Sequence, residues 1–263
     1  MKNIVLTIAA AALLSSCSDI ATDERYLESE SVAVQRAVLI EDFTGQKCIN
    51  CPFAHETVEK LVEMYGEAVI PVSIHAGGFG IAADYKRYTG LMQPEGDTYC
   101  NAWGIEDFPK GVINRTGPPL NHTEWAEAVR KQLALESDLN ISVDADCYYG
   151  DKVNITLKLT HKSDVKGNLQ VWILEDSIVA RQEHKTLGLI RDYVHNHVYR
   201  ASVNGVGGES ISLNDDGYKT INMSYDVRKT ETETWVPENL SVVAFVYNES
   251  GVLQAAKSHV KVK

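Results

Sequence analysis

Two cysteines three residues apart, Cys48 and Cys51, stand in the run Asp42-Phe43-Thr44-Gly45-Gln46-Lys47-Cys48-Ile49-Asn50-Cys51-Pro52. Thiols at this spacing can cycle between dithiol and disulfide, because a thiolate at the first attacks a partner's disulfide and the second resolves the mixed disulfide. The first must therefore be held as a thiolate, and a helix N-terminus does this through its unpaired N–H groups and the positive end of its dipole. The flanking pattern supplies such an address. Val38, Leu39, Ile40 and Phe43 read as a buried strand, while Thr57, Val58, Leu61, Val62 and Tyr65 fall at helical spacing after the cysteines. The first thiol is expected to cap that helix, and Lys47 adds a positive charge beside it. Cys48 is thus the expected nucleophile and Cys51, one turn further in, the resolving thiol. Three other readings of the pair stay open. Zinc would need a second Cys-x-x-Cys or a spaced histidine pair, and none follows at finger spacing. An inert structural disulfide suits an oxidising compartment. Copper could be held by Cys48, Cys51 and His55 on one helical face. The redox reading requires no cofactor and no metal.

The start of the chain addresses the compartment. Met1-Lys2-Asn3 is a short, weakly basic head, and Ile4 to Leu14 is an apolar segment too short to span a bilayer. Leu14-Ser15-Ser16-Cys17 resembles a bacterial lipobox, which implies a signal peptide over residues 1–16 and a lipidated Cys17 as the mature N-terminus. Residues 17–35 then form an acidic tether between anchor and fold. The expected partners are the membrane, through Cys17, and proteins of the envelope.

Composition narrows the rest. The formal net charge is -11, with no concentration of Lys and Arg that could neutralise phosphates, so nucleic acid is excluded as a partner. Removal of the signal leaves roughly 250 residues, enough for two ordinary domains. Apart from Cys17 and the Cys48/Cys51 pair, two of the five cysteines remain, Cys100 and Cys147. They can pair with each other across the domains or remain thiols, and the free state is the expectation.

Residues 36–137 alternate strands and helices, the signature of an α/β layer. Val69 to Ile74 is the second strand; Gly77-Gly78-Phe79-Gly80 breaks the pattern after His75; Gly96 to Trp103 suggests a short helix carrying Cys100. A clearer helix starts at a cap on Asn121 or Thr123 and carries Trp125, Val129 and Leu133 on one face. Residues 138–263 change character. Leu139, Ile141, Val143 and Ala145 alternate with polar residues, as do Val153, Ile155, Leu157 and Leu159 after a Tyr148-Tyr149-Gly150-Asp151 turn, which predicts a hairpin. Further strands over 169–174, 221–227, 240–247 and 252–262 predict an immunoglobulin-type β-sandwich. His195-x-His197 on a strand would place both imidazoles on one face, but no third ligand is evident at useful spacing.

Asp42-Phe43 ahead of the first cysteine, and Gly104-Ile105-Glu106-Asp107-Phe108-Pro109 further on, resemble the thioredoxin superfamily. The resemblance implies a cis Pro109 against the Cys48/Cys51 pair and a buried Asp42 that exchanges a proton with Cys51. The family's Trp before the first cysteine is replaced by Lys47, and Ile49-Asn50 is an unusual central dipeptide. Together with the lipobox, the Thr44-to-Pro52 run, His195-Asn196-His197 and the strand Asn239 to Tyr247, the chain resembles the outer membrane protein twenty-eight related lipoproteins of Bacteroidetes. That family implies an outer-membrane lipoprotein of the cell envelope, with a thioredoxin-like domain followed by an immunoglobulin-like one. Two functions are then expected. One is a membrane-anchored thiol-disulfide oxidoreductase acting on envelope proteins. The other is a surface binding or adhesion lipoprotein with a non-catalytic thioredoxin-like scaffold.

Overall fold

A computed structural model describes residues 34–214 and 217–263. The expected signal segment 1–16, Cys17 and the tether up to residue 33 lie outside the described residues. The first strands are β1 (Val34–Gln35), β2 (Val38–Thr44), β3 (Val69–His75), β4 (Lys110–Ile113) and β5 (Glu136–Ser137), with helices α1 (Cys51–Tyr65), α2 (Pro94–Ala102) and α3 (Trp125–Leu133) among them. After these come β6 (Leu139–Tyr148), β7 (Lys152–His161), β8 (Val165–Glu175), β9 (Ile178–His184), β10 (Gly188–His195) and β11 (Val198–Ser202). The chain closes with β12 (Glu209–Leu213), β13 (Tyr218–Asp226), β14 (Leu240–Asn248), β15 (Gly251–His259) and β16 (Lys261–Val262). The architecture is mixed α/β with sheets dominant.

Every residue of β2 and of β3 is buried, so the apolar residues 38–40 and 69–72 run on without polar alternation, and the polar Glu41, Asp42 and Thr44 of β2 are buried with them. They pair in parallel from Val38↔Val69 to Thr44↔His75, joined by α1 as a βαβ crossover, and β4 adds antiparallel on the far side of β2. On its other side β3 meets β11 through one parallel pair, Val198↔Ser73, where the Ser73 N–H donates to the His197 carbonyl at 2.7 Å. Residues 71 and 73 present their backbone groups to the same side of the strand. Pro71, which has no N–H, therefore lies where β11 has not yet begun to pair, and its missing donor interrupts no ladder.

Helices cover both faces of this part of the sheet. Ala54, Val58 and Leu61 of α1 share a core with Val38, Ile40, Val69 and Ile113, together with Trp125 and Val129 of α3. Trp125 lies so close to β4 that a Cβ on Gly111 would fall within 2.5 Å of its indole Cζ2, so that position accepts only glycine. On the opposite face Tyr99 of α2 packs with Leu39, Phe43, Val72, Trp172 and Phe245. Tyr99 is fixed there by the Trp172 indole N–H, which donates to its hydroxyl at 3.0 Å.

The same sheet continues in the order β15-β14-β8-β11-β3-β2-β4, so it draws strands from both sides of residue 137. From 169 to 175 in β8 and from 240 to 246 in β14 the chain is buried on both faces. Val171, Ile173, Val242 and Ala244 face one core, while Trp172, Leu174, Val243 and Phe245 face the other. The first of these cores is closed by a second sheet, β13-β7-β6-β16, whose inward residues Ile141, Ile155, Leu157 and Leu159 alternate with exposed ones. Its β6–β7 hairpin pairs Tyr148 with Lys152 through the three residues 149–151, of which Tyr149 (φ 54°) and Gly150 (φ 70°) are left-handed and the Asp151 N–H donates to the Tyr148 carbonyl at 3.4 Å.

A buried ion pair ties the βαβ unit to the sandwich. Glu41, fully buried on β2, receives Arg115 Nε at 2.7 Å and Nη2 at 3.2 Å, and the guanidinium lies 4.2 Å from the centroid of Tyr247 and 4.9 Å from that of Phe245 on β14. Removing one partner strands the other without a counter-charge. Arg115→Ala is therefore expected to destabilise the protein by about 3–5 kcal/mol in urea unfolding. Arg115→Lys should lose less, because it keeps the charge but not the fork or the ring stacking. A loss below about 1 kcal/mol for Arg115→Ala, typical of exposed pairs, would show that the pair is not a structural tie.

Candidate functional site

β2 ends at Thr44 and α1 begins at Cys51, so Gly45 to Asn50 form the loop between the first strand of the crossover and its helix. Pro52 falls in the first turn, where a missing N–H costs no helical bond. Cys48 and Cys51 are joined as a disulfide with Cα atoms 5.4 Å apart. The helix starts at the second cysteine. Cys48 is a loop residue, yet its sulfur accepts the N–H of Cys51 at 3.1 Å and so occupies the helix N-terminus from outside. Lys47 is exposed, whereas Cys48 is only 2% exposed and Cys51 is fully buried.

The β9–β10 hairpin, a separate two-stranded sheet, is hydrogen-bonded to this loop. Gln182 Nε2 donates to the Cys48 carbonyl at 2.9 Å and the Gly45 carbonyl at 3.3 Å, the Glu183 N–H to the Gln46 carbonyl at 2.8 Å, and the Lys185 N–H to the Ile49 carbonyl at 2.9 Å. The His184 ring packs 5.2 Å from that of Phe53 on α1. Gln46 answers from the loop, its Nε2 donating to the Arg181 carbonyl at 3.3 Å. The stretch Arg181-Gln182-Glu183-His184 is wholly polar and carries no strand periodicity, so sequence patterning misses it.

The loop is also braced from the other side. The Lys47 N–H donates to the Phe79 carbonyl at 2.9 Å, and a Cβ on Gly45 would stand 2.5 Å from the Phe79 carbonyl carbon, so only glycine admits this approach. The Phe79 ring lies 5.3 Å from that of Phe108, and the Phe108–Pro109 peptide bond is cis. Pro109 is buried immediately before β4.

Beneath the loop Asp42 is fully buried and neither carboxylate oxygen has a hydrogen-bond partner. Burial pushes its pKa up to about 8. Its Oδ2 lies 3.8 Å from Nε2 of His55 on α1. That ring also meets the Thr44 hydroxyl through Nε2 at 3.0 Å and the Tyr193 hydroxyl through Nδ1 at 2.9 Å. Burial, then the neighbouring His195 and His197, lower His55 to about 3, so the Asp42–His55 contact joins neutral groups and is not an ion pair at pH 7. Two more histidines complete the cluster. His75 and His195 are buried, their rings 5.4 Å apart, and no ring nitrogen of either has a hydrogen-bond partner. Burial holds His195 at about 4 and His75 well below the ordinary value. A cavity of about 30 Å³, near the share of one water, lies among His55, Ser73, His75, Tyr193 and His195.

The expectation that His195 and His197 share one face of a strand is corrected here. β10 ends at His195, and His197 adopts a left-handed backbone (φ 57°) outside the strand and contacts Asp176 at 3.1 Å. Cys100 and Cys147 are both buried free thiols that belong to different cores, Cys100 on α2 and Cys147 within the sandwich. Burial and Asp97 push Cys100 up to about 11. Among the described residues no group of three or more His, Cys, Asp or Glu is arranged to hold a metal ion. The copper alternative is opposed by the bonds that engage both nitrogens of His55.

These shifts have opposite signs in their pH linkage. The raised pKa of Asp42 contributes stability that is present below the unfolded value of about 3.9 and is lost as pH rises towards the folded value of about 8. The three depressed histidines contribute stability that is present above about 6.5 and lost as pH falls below it. Between about pH 6.5 and 8 Asp42 alone in the cluster supplies a slope, about 1.4 kcal/mol per pH unit. Denaturant unfolding across this window should show a declining stability that Asp42→Asn flattens. An unchanged slope in the variant would disprove the protonated, buried Asp42.

No curated protein matches the sequence. Among solved structures the chain is similar to HBP35 of Porphyromonas gingivalis, at 19% identity and a TM-score of 0.69, over 87% of this chain and 76% of that one. A domain of the outer membrane lipoprotein Omp28 from Porphyromonas gingivalis matches 48% of this chain and 91% of its own length at 26% identity, with a TM-score of 0.37. No helix among the described residues is long and apolar enough to cross a membrane. The family model of outer membrane protein Omp28 matches residues 96–263, most of the chain, and the protein accordingly belongs to the Omp28 family of outer-membrane lipoproteins of the cell envelope.

Proposed function

We propose that this lipoprotein is a thiol-disulfide oxidoreductase of the cell envelope, with Cys48 and Cys51 as its redox couple. The observation that carries the reading is the Cys48–Cys51 disulfide at the start of α1, on the loop that follows a buried strand bearing the unpartnered Asp42. The β2-α1-β3 crossover, antiparallel β4 and the cis Phe108–Pro109 bond that precedes it support a thioredoxin-like unit. The two facing sheets support an immunoglobulin-like sandwich as its partner layer. The lipid anchor is Cys17, and the clients are disulfide-bearing envelope proteins.

In the reductive direction the Cys48 thiolate attacks one sulfur of a client disulfide. A Cys48–client bond forms and the other client sulfur leaves as a thiolate. Cys51, deprotonated, then attacks Cys48 Sγ, reforms the Cys48–Cys51 bond and releases the second client thiolate. Two electrons pass to the client; the reverse sequence oxidises a client dithiol. With the β9–β10 hairpin in place Cys48 is too buried to meet a client, so exchange requires the hairpin to lift from the loop.

Cys51→Ser removes the resolving thiol and is expected to accumulate mixed disulfides on Cys48 in oxidised envelope extract, read by non-reducing electrophoresis and mass spectrometry. Trapping no better than a Cys48→Ser control would favour the binding-lipoprotein reading. A second expectation concerns access. Gln182→Ala deletes the side chain that holds two loop carbonyls, worth of order 1–3 kcal/mol, and should speed reduction by dithiothreitol roughly tenfold. An unchanged rate would mean that the hairpin does not gate the disulfide.

A further inference from the structure

His75 on β3 and His195 at the end of β10 are each 2% exposed, and no hydrogen bond engages any of their four ring nitrogens. Buried polar atoms are ordinarily paired, because taking one from water without a partner costs free energy. Here two such rings stand together, their centroids 5.4 Å apart and their planes at 64°. Both line the cavity of about 30 Å³, with Ser73 and Tyr193. That space holds one water or one monatomic ion, and no larger ligand. The backbone at Ser73 raises the basicity of His75, and the backbone at Ala180 and Arg181 raises that of His195. A main-chain neighbour of this kind on one nitrogen is the usual device that orients a metal-binding imidazole by the other.

We propose that His75 and His195 bind one copper(I) ion between them. Neutral imidazole is a metal ligand and imidazolium is not, and burial keeps both rings neutral at pH 7. The number and kind of ligands then select the metal. Zinc takes four ligands, and magnesium and calcium take six or more, mostly oxygens. Two imidazoles and the space of one water cannot supply such a set. Copper(I) accepts imidazole, carries no geometric preference from its filled d shell, and is satisfied by two ligands nearly in line. Two metal–nitrogen bonds of about 2 Å, as imidazole makes to zinc, bridge rings at this separation.

A monovalent ion also brings the least charge into a buried place. Glu59 of α1 lines the same cavity and Asp42 of β2 stands beside His55, so carboxyl groups lie on that side. From β11 Arg200 faces His75, but it is paired with Glu175 and Glu233, each at 3.0 Å. His55 stays outside the ligand set, since the Thr44 and Tyr193 hydroxyls engage both its nitrogens. His75 belongs to the crossover and His195 to the β9–β10 hairpin, so one ion on both is a cross-link between them. Binding therefore stabilises the docked hairpin.

The test uses the whole mature chain with the Cys48–Cys51 disulfide intact and Cys100 and Cys147 changed to alanine, because free thiols bind copper(I) themselves. Copper(I), added under argon as its acetonitrile complex, should be retained at one ion per chain against the chromogenic chelator bicinchoninate. His75→Phe and His195→Phe, which keep a ring in each place, should each weaken retention by more than about a hundredfold, beyond the loss that follows from disturbing a ligand's supporting partner. His259→Phe, at an exposed histidine, should leave it unchanged. X-ray absorption at the copper edge should report two nitrogen neighbours, and amide exchange in β10 should slow on binding. No retained copper, or equal retention in both ring variants, would overturn the site. Sulfur neighbours, three or more ligands, or unchanged exchange in β10 would overturn it as well. The last two measurements need no histidine variant, so they decide the matter even where a substitution prevents folding.

Discussion

Two strands that must be buried on both faces, β8 and β14, govern this molecule. A strand that covers a sandwich core with one set of side chains and a helix-capped core with the other cannot tolerate polar alternation there, and over 171–174 of β8 and 242–246 of β14 the residues are apolar without a break. Because β8 also pairs with β11, and β11 meets β3, the crossover that carries the cysteines is an extension of the sandwich sheet. Trp172 illustrates the coupling: it sits on β8, packs 4.7 Å from Phe245 on β14, and holds Tyr99 of α2 through its indole N–H. Arg115 repeats the arrangement in charge, with its fork on β2 and its plane against β14.

On this frame the cysteine loop is clasped between two inserted segments. The segment after β3 holds it through the Phe79 carbonyl and the close approach to Gly45; the β9–β10 hairpin holds it through four loop carbonyls, those of Gly45, Gln46, Cys48 and Ile49. The same hairpin brings Tyr193 and His195 against His55 and His75. One hairpin thus meets both the cysteine loop and the histidine cluster. The depressed histidines and the raised Asp42 share one cause, exclusion of water, and together they keep the cluster uncharged at neutral pH.

Much of this was legible in the sequence where the signal is local. The β6–β7 hairpin announces itself through alternation and the Tyr149-Gly150 turn. Asn121 marks a 3-10 turn, His122–Glu124, that leads into α3, and its N–H donates to Glu124 at 3.1 Å; the burial of β2 is marked by the apolar residues 38–40. The cysteine pair likewise fell between strand and helix, displaced only in that the helix starts at Cys51. What was not legible is non-local. One residue pair joins β11 to β3, and no periodicity reports a contact between positions 73 and 198. Arg181 to His184 pair as a strand because Gln182 and the backbone satisfy loop carbonyls, not because the side chains favour a sheet. The histidine cluster assembles from positions 55, 75 and 195 on three elements, so His195 found its neighbours in α1 and β3 and not in the nearby His197.

The hairpin bonds four main-chain oxygens of this loop and one of its side chains, that of Gln46, and Ile49 and Asn50 contribute no side chain to these bonds among the bonds described. A carbonyl is offered whatever side chain its residue carries, so the two residues between the cysteines can be exchanged without breaking any of these main-chain bonds.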